Sequence, residues 1–296
     1  MIAASGDLLE RLPLATACAV LGLGRGSCYR PAQPDAPAVP QVGRPCVEDP
    51  ALQRALEQVV EEFPGAGYFR VCKHLQRAGF RVNPKRVYRV MQEAGWLQVR
   101  ARRTERTTNS KHGFAVYPNL LRNCGWRALS APNQAWGADL TYVRLGAGFC
   151  YLAVLIDLFS RRIVGWNLSE SLEAQGALSA LEMALVSRRP AAGWVHHSDR
   201  GVQYACGDYV RRLQRAEARI SMAAVGAPKE NAPTERWMRT VKDEEVTLED
   251  YQTFGQAKQG IGRFIEEVYN RRRLHSALGY RPPSEFEELF AASILR

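Results

Sequence analysis

No stretch of this sequence is apolar for long enough to span a bilayer, which takes about 20 residues, so a membrane-embedded protein is not expected. Leu12–Leu23 has the length of a signal-peptide core and Ala15-Thr16-Ala17 resembles a cleavage site, but Asp7 and Glu10 stand where positive charge is wanted. A cytoplasmic protein is expected. No Cys-x-x-C occurs, and the seven cysteines (Cys18, Cys28, Cys46, Cys72, Cys124, Cys150 and Cys206) are odd in number and scattered. That pattern excludes a disulfide framework and points to reduced thiols, with Cys72 and Cys150 in apolar runs that read as core. His196 and His197 have no cysteine pair to complete a zinc site, so no structural zinc is expected. Internal repeats are missing as well.

Acids are also in short supply. Asp and Glu number 30 against 40 Lys and Arg, a net charge of +10. The excess suits a polyanion, because each phosphate that is neutralised releases condensed counterions. With 296 residues, the chain is long enough for one large core and one small one.

Residues 1–30 read as a short helical segment broken at Gly22 and Gly24. A proline-rich linker follows over 31–48, with Pro31, Pro34, Pro37, Pro40 and Pro45. Residues 49–97 read as three helices. Asp49-Pro50 opens the first, with Leu52, Leu56, Val59 and Phe63 at helical spacing, and Pro64-Gly65 ends it. The second runs from Tyr68 to Ala78, with Val71, Cys72 and Leu75 inward and Gly79 as its stop. Asn83-Pro84 opens the third, with Val87, Val90, Met91 and Ala94 inward and Gly95 after it. Short helices joined by tight turns suggest a helix-turn-helix DNA-binding region. Its third helix turns Lys85, Arg86 and Arg89 outward, and the basic connector 98–130 continues the charge through Arg102 and Arg103.

From Trp136 the pattern changes to strands. Trp136–Leu145 alternates weakly, Phe149–Ile156 is continuously apolar like a strand buried on both faces, and Arg161–Leu168 forms a third. A helix (Leu172–Ser187), a strand (Trp194–His197), a helix (Asp208–Glu217) and a strand (Ile220–Val225) follow. Two long helices, Pro233–Glu245 and Thr253–Tyr269, come last. The expected fold is α/β: a ribonuclease-H-like mixed-sheet catalytic domain over 131–290, preceded by a small all-α helix-turn-helix region.

Three carboxylates stand out in that frame. Asp139 lies inside the first strand, where carboxylates are depleted. Asp199 follows the fourth strand, at a strand end of the kind where ligand sites gather. Glu235 lies in the first turn of the helix after Asn231-Ala232-Pro233-Thr234. Hydrolysis or transfer at a phosphodiester needs an activated oxygen, a stabilised phosphorus centre and a neutralised leaving group. Two Mg²⁺ (or Mn²⁺) ions held by a few carboxylates can supply all three. Each acid alone also has a bland reading: Asp199 could cap a turn, and Glu235 could complement a helix dipole. Asp157, at the end of the second strand, reads as a turn cap. Arg239 and Lys242 share the Glu235 face and read as phosphate contacts, with a structural salt bridge as the alternative for Arg239. Asn231 reads as a residue that steers a DNA end. The stretch Arg271–His275 could contact DNA or cap the final helix.

These residues sit in longer motifs: Trp136-Gly-Ala-Asp139-Leu-Thr-Tyr142, Leu155-Ile-Asp-Leu-Phe-Ser-Arg-Arg-Ile-Val-Gly-Trp166, His196-His-Ser-Asp-Arg-Gly-Val-Gln-Tyr204, Glu230-Asn-Ala-Pro-Thr-Glu235, and Tyr269-Asn-Arg-Arg-Arg-Leu-His275 with Leu278-Gly-Tyr280. Gly67-Tyr68 and Val82-Asn-Pro-Lys-Arg-Val-Tyr88 lie upstream. Over residues 50–290 the chain resembles the second-frame transposase of the insertion sequence three family, within the DDE integrase superfamily. The resemblance implies that Asp139, Asp199 and Glu235 are a metal-binding triad. It implies cleavage and strand transfer at the ends of an insertion sequence, with terminal repeats and target DNA as partners and a homo-oligomer on DNA. The first-frame transposase protein is a further candidate partner, and a bacterial, nucleoid-associated location is implied. The paired-His, paired-Cys finger of retroviral integrases is absent. Two departures stand out: Glu230-Asn231 replaces the family's usual Asp-Asn, and Met-Ala-Ala-Val between Ser221 and Gly226 replaces a stretch that commonly carries a basic residue. Two rivals remain, a nuclease or resolvase on the same fold and a non-catalytic DNA-binding protein.

Overall fold

The computed structural model describes residues 49–97, 114–122, 126–146, 148–224 and 228–294. The expected segments at 1–30 and 31–48, and Arg102 and Arg103 with most of the basic connector, lie outside the described residues.

Helix α1 (Pro50–Glu62), α2 (Tyr68–Arg77) and α3 (Pro84–Glu93) form where the caps and apolar spacing predict. The Asn83 side chain accepts from the Arg86 N–H at 2.9 Å and Pro84 occupies the first turn, so α3 begins with a satisfied end. Leu52, Leu56, Phe63, Val71, Cys72, Leu75, Val82, Val87 and Met91 close a core among the three helices. Ala94, expected inward, is exposed instead: α3 stops at Glu93 and Gly95 turns the chain at φ +73°.

The sheet has the order β3-β2-β1-β4-β5. Strands β1 (Ala135–Leu145), β2 (Gly148–Asp157) and β3 (Ile163–Ser169) are an antiparallel meander, and β4 (Val195–Ser198) and β5 (Arg219–Met222) add in parallel beside β1. Helix α4 (Ala174–Arg188) links β3 to β4. A single turn at Val202–Ala205 and helix α5 (Gly207–Arg215) link β4 to β5. This is the ribonuclease-H-like arrangement. The apolar run in β2 is explained by its central place. Leu152, Val154 and Ile156 face one core with Trp237, Val241, Ile261 and Ile265. Ala153 and Leu155 face the other, with Trp136, Leu181, Tyr209 and Leu213.

Helices α6 (Ala232–Val241) and α7 (Phe254–Arg263) cover the first face. Each runs on as a π-wound segment, Lys242–Val246 and Phe264–Tyr269. The sequence pattern predicts these two as the last helices, but a further one, α8 (Pro283–Ile294), closes the described chain. Residues from Pro50 onward pack as one unit, in which the three N-terminal helices lie against the part that carries the sheet. Exposed ion pairs Arg77–Glu285 and Arg272–Glu62 (2.7 Å) join the two parts, as do Phe69 and Tyr280 with ring centroids 5.7 Å apart.

Candidate active site

Strands β1 and β4 run parallel with Ala138 opposite Ser198, so the next residues, Asp139 and Asp199, lie side by side where β4 ends. Neighbouring strands are about 4.8 Å apart, close enough for one ion to touch both side chains. Side chains alternate across a strand. Trp136 and Ala138 face the α4–α5 side, so Gly137, Asp139 and Val143 face α6 and α7. Helix α6 brings Glu235 to that face, and Gly137 lets it come close. A methyl group on Gly137 would overlap Thr234 Oγ1 and stand 2.9 Å from Leu158 Cδ2. Only glycine allows the helix start to lie so near β1.

The three carboxylates share one electrostatic neighbourhood. Asp139 is half-buried and its Oδ1 accepts from the Leu140 N–H at 2.8 Å. Burial, then the charges of Asp199 and Glu235, lift its carboxyl to about 8, while the Leu140 N–H and the Lys242 ammonium oppose the rise. Burial also raises Glu235, with Asp199 adding to the shift and Arg239 opposing it. Asp199 Oδ1 accepts from the Gly201 N–H at 2.9 Å, which turns the chain after β4. Among the described residues no three acidic, histidine or cysteine side chains converge on one point. A two-ion site does not require that. Mg²⁺ uses one or two carboxylates, several waters and substrate phosphates, so a shared Asp139 with one further carboxylate per ion fits this donor set. Crowding of negative charge around a half-buried acid is what a divalent cation would relieve.

The neighbours sort into surface and interior. Glu235, Arg236 and Arg239 are exposed, and no ion pair joins Arg239 to Glu235 among the described residues. The Lys242 ammonium lies 4.3 Å from the centre of the Tyr142 ring. In the third helix Lys85 and Arg89 are exposed and Arg86 is half-buried. Asn231 differs from its sequence-based expectation. It is buried, with Nδ2 donating to the Ala138 carbonyl at 3.5 Å, one residue before Asp139. It braces the strand and has little surface to offer DNA. Glu230, the residue that departs from the family pattern, accepts from the Ala224 N–H at 2.7 Å and pairs with Arg122 at 3.4 Å, so it ties the residue just after β5 to the segment before β1.

Other candidates are structural. Asp157 is fully buried and accepts from the backbone N–H groups of Asn133 (2.6 Å), Phe159 and Ser160 (2.9 Å each). His196 bonds to the Tyr209 hydroxyl at 3.0 Å, and His197 to Ser221 Oγ at 2.8 Å and the Glu230 carbonyl at 3.1 Å. Burial holds both rings neutral, His196 down to about 3. In Arg271–His275 the undecided basic stretch divides: Arg271 and Arg272 are exposed, while Arg273 is buried and the half-buried His275 stacks edge-on to Tyr269 at 4.7 Å. Asn270 beside it accepts from the Ile163 N–H at 2.9 Å and donates to the Ile163 carbonyl at 3.0 Å, tying the motif to β3.

Sequence reasoning missed Glu244. It lies in the π-wound continuation of α6, bound by Arg273 through both oxygens at 2.6 Å and by Arg70 of α2 at 2.8 Å. Burial works against its charge, but the two guanidiniums outweigh that and hold the carboxyl below the usual range. Lys-Asp-Glu-Glu reads as a solvated run, and nothing in its spacing points to the distant partners Arg70 and Arg273.

The sequence matches the family described as Integrase core domain over residues 130–228 and again over 216–283, and an HTH-like domain over 47–104. It is 34% identical over 243 residues to the transposase for insertion sequence element IS904 of Lactococcus lactis subsp. lactis (strain IL1403), covering 82% of this chain and 95% of that one. It is 36% identical over 218 residues to transposase InsF for insertion sequence IS3A of Escherichia coli (strain K12), covering 74% and 75%. This chain belongs to the IS3 family of insertion sequence transposases. It is a DDE-type polynucleotidyl transferase of the integrase superfamily, which works with divalent metal, and it binds DNA. Among solved structures, a simian T-cell lymphotropic virus intasome in complex with PP2A regulatory subunit B56 gamma aligns at 14% identity and a TM-score of 0.47, covering 81% of the transposase and 74% of that chain. No described helix of the transposase is long and apolar enough to cross a membrane.

Proposed function

We propose that Asp139, Asp199 and Glu235 are the metal-holding acids with which this transposase cuts and joins DNA at the ends of its element. The observation that carries the reading is the parallel register of β1 and β4, which sets two acids side by side on the face that receives Glu235. Two Mg²⁺ or Mn²⁺ ions held there would activate the attacking oxygen and neutralise the leaving one. The protein's own part is positional. Asp139 sits on a central strand braced by the Asn231 amide, Asp199 is fixed by its bond to Gly201, and Glu235 rides on a helix seated against Gly137. Arg239 and Lys242, one and two turns further along the same helix, hold phosphates flanking the scissile bond, about 6 and 10 Å along its axis. Lys85, Arg86 and Arg89 of α3, continued by Arg102 and Arg103, bind the terminal repeat. The working form is a homo-oligomer on DNA, nucleoid-associated in a bacterial cell, with the first-frame protein as a partner. Separate functional regions over 49–97 and 131–290 are part of this reading.

The test is the full chain with duplex carrying the element's ends and Mg²⁺ or Mn²⁺, followed by sizing of cut and joined products. Asp139→Asn, Asp199→Asn and Glu235→Gln should each abolish cleavage while DNA binding persists, since an amide keeps the shape and loses the charge. Near-normal cleavage by any one variant removes that residue from the triad.

A further inference from the structure

The helix that carries Glu235 does not end in solvent. Its continuation sets Glu244, nine residues later, against the turn between α1 and α2. A methyl group on Gly65 in that turn would stand 2.5 Å from Glu244 Cγ and 2.8 Å from its Cα, so the two backbones are in close contact. The Glu244 side chain is 13% exposed and is held from two sides. Arg273 takes both oxygens at 2.6 Å, and Arg70, in the first turn of α2, adds a third bond at 2.8 Å. Bidentate guanidinium pairs fix orientation as well as distance. This joint therefore lies between the helix pair that leads into α3 and the helix that leads back to Glu235, about 13 Å away along its axis.

We propose that Arg70 is a positioning residue for strand cleavage. By clamping Glu244 it locks the Glu235 helix to the DNA-reading helices, so that a DNA end held by α3 meets the metal-holding acids at a set distance. The proposal rests on the reading of Glu235 as a metal ligand. Buried ion pairs are a poor source of stability compared with apolar packing, so the part assigned to this one is geometric, through the bidentate fork of Arg273 and the added bond from Arg70. Arg70 is also the member that can be removed cleanly. Arg273 alone satisfies both Glu244 oxygens, and the surface pairs Arg77–Glu285 and Arg272–Glu62 still hold the helices on the core.

The experiment uses the full chain, a duplex with the element end and Mg²⁺, with cleavage rate measured against DNA concentration and thermal unfolding followed in parallel. Arg70→Met should cut roughly 10- to 100-fold more slowly at saturating DNA, as expected for misplacement of about 1 Å. Its apparent DNA affinity should stay within about twofold of the parent, because only the step after binding is affected. Arg70→Lys, which keeps a cation beside Glu244, should recover most of the lost rate. Glu235→Gln is run alongside. If it is inactive while Arg70→Met cuts at the parent rate, the joint has no positioning role and only this inference falls. If Glu235→Gln is active, the underlying metal reading falls. A rate loss matched by an equal loss of DNA affinity, or one that Lys does not recover, makes Arg70 a merely structural residue and overturns the proposal.

Discussion

Gly137→Ala tests the close approach that seats the Glu235 helix. The added methyl would overlap Thr234 Oγ1 and lie 2.9 Å from Leu158 Cδ2 and 3.4 Å from Ile156 Cγ2. Thr234 is fully buried, so its side chain has no solvent into which to swing. Restoring ordinary contact requires the helix start to move out by about 1 Å. Glu235 is the next residue and moves with it. A shift of that size at a reacting site costs about 100-fold in rate. Overpacking should cost about 1–3 kcal/mol of stability, a fall of a few degrees in melting temperature. The assay is metal-dependent cleavage at saturating DNA, with melting followed in parallel. Thr234→Ala removes the oxygen that the methyl meets. Gly137→Ala with Thr234→Ala should therefore regain much of the rate that Gly137→Ala loses, a coupling of about 0.5–3 kcal/mol in a double-mutant cycle. Full activity in Gly137→Ala, or strictly additive effects in the pair, would refute the idea that contact between Gly137 and Thr234 sets the position of Glu235.

Three further outcomes can be checked. Asp157→Asn should lower the melting temperature by several degrees, because its charged oxygens serve three backbone N–H groups, while the folded enzyme still cuts DNA; loss of cleavage without loss of stability would move Asp157 into the site. Lys85→Ala, Arg86→Ala and Arg89→Ala combined should weaken DNA binding and flatten the log–log salt slope by about 0.9 for each phosphate no longer neutralised, and an unchanged slope would exclude α3 as the DNA-facing helix. Lys242→Ala should raise the DNA concentration needed for half-maximal cleavage with little change in melting temperature, because a cation resting on the face of the Tyr142 ring adds little to stability at a partly exposed site; a lowered melting temperature with unchanged DNA dependence would make Lys242 structural.

Much of the architecture could be read locally. Asn83-Pro84 and Gly95 bound a helix by backbone chemistry that needs no distant partner. The unbroken apolar run of β2 announced a strand covered on both faces, and the order of strands and helices led to the mixed sheet. Asp139 stood out because a carboxylate in a strand calls for an explanation, and Asp157 could be set aside as a turn cap. The final helix is not among the expected elements, although Phe286 and Phe290 stand at helical spacing and both pack on Phe159.

What only the tertiary structure decided depends on partners distant in sequence. The side-by-side placement of Asp139 and Asp199 comes from strand register, which the intervening β2, β3 and α4 do not encode locally. Gly137 reads as an ordinary strand glycine until Thr234 is packed against it. Asn231 carries the same polar side chain whether it faces DNA or a carbonyl inside the protein, and its burial against Ala138 is set by how α6 docks. The same holds for Glu244 and Arg273, whose charges read as surface until folding removes the water and leaves each as the other's partner. Local chemistry in the sequence names the elements and the acids. Which polar groups are buried, and against what, is settled by long-range packing, because desolvation acts on a group only through the neighbours that exclude water from it.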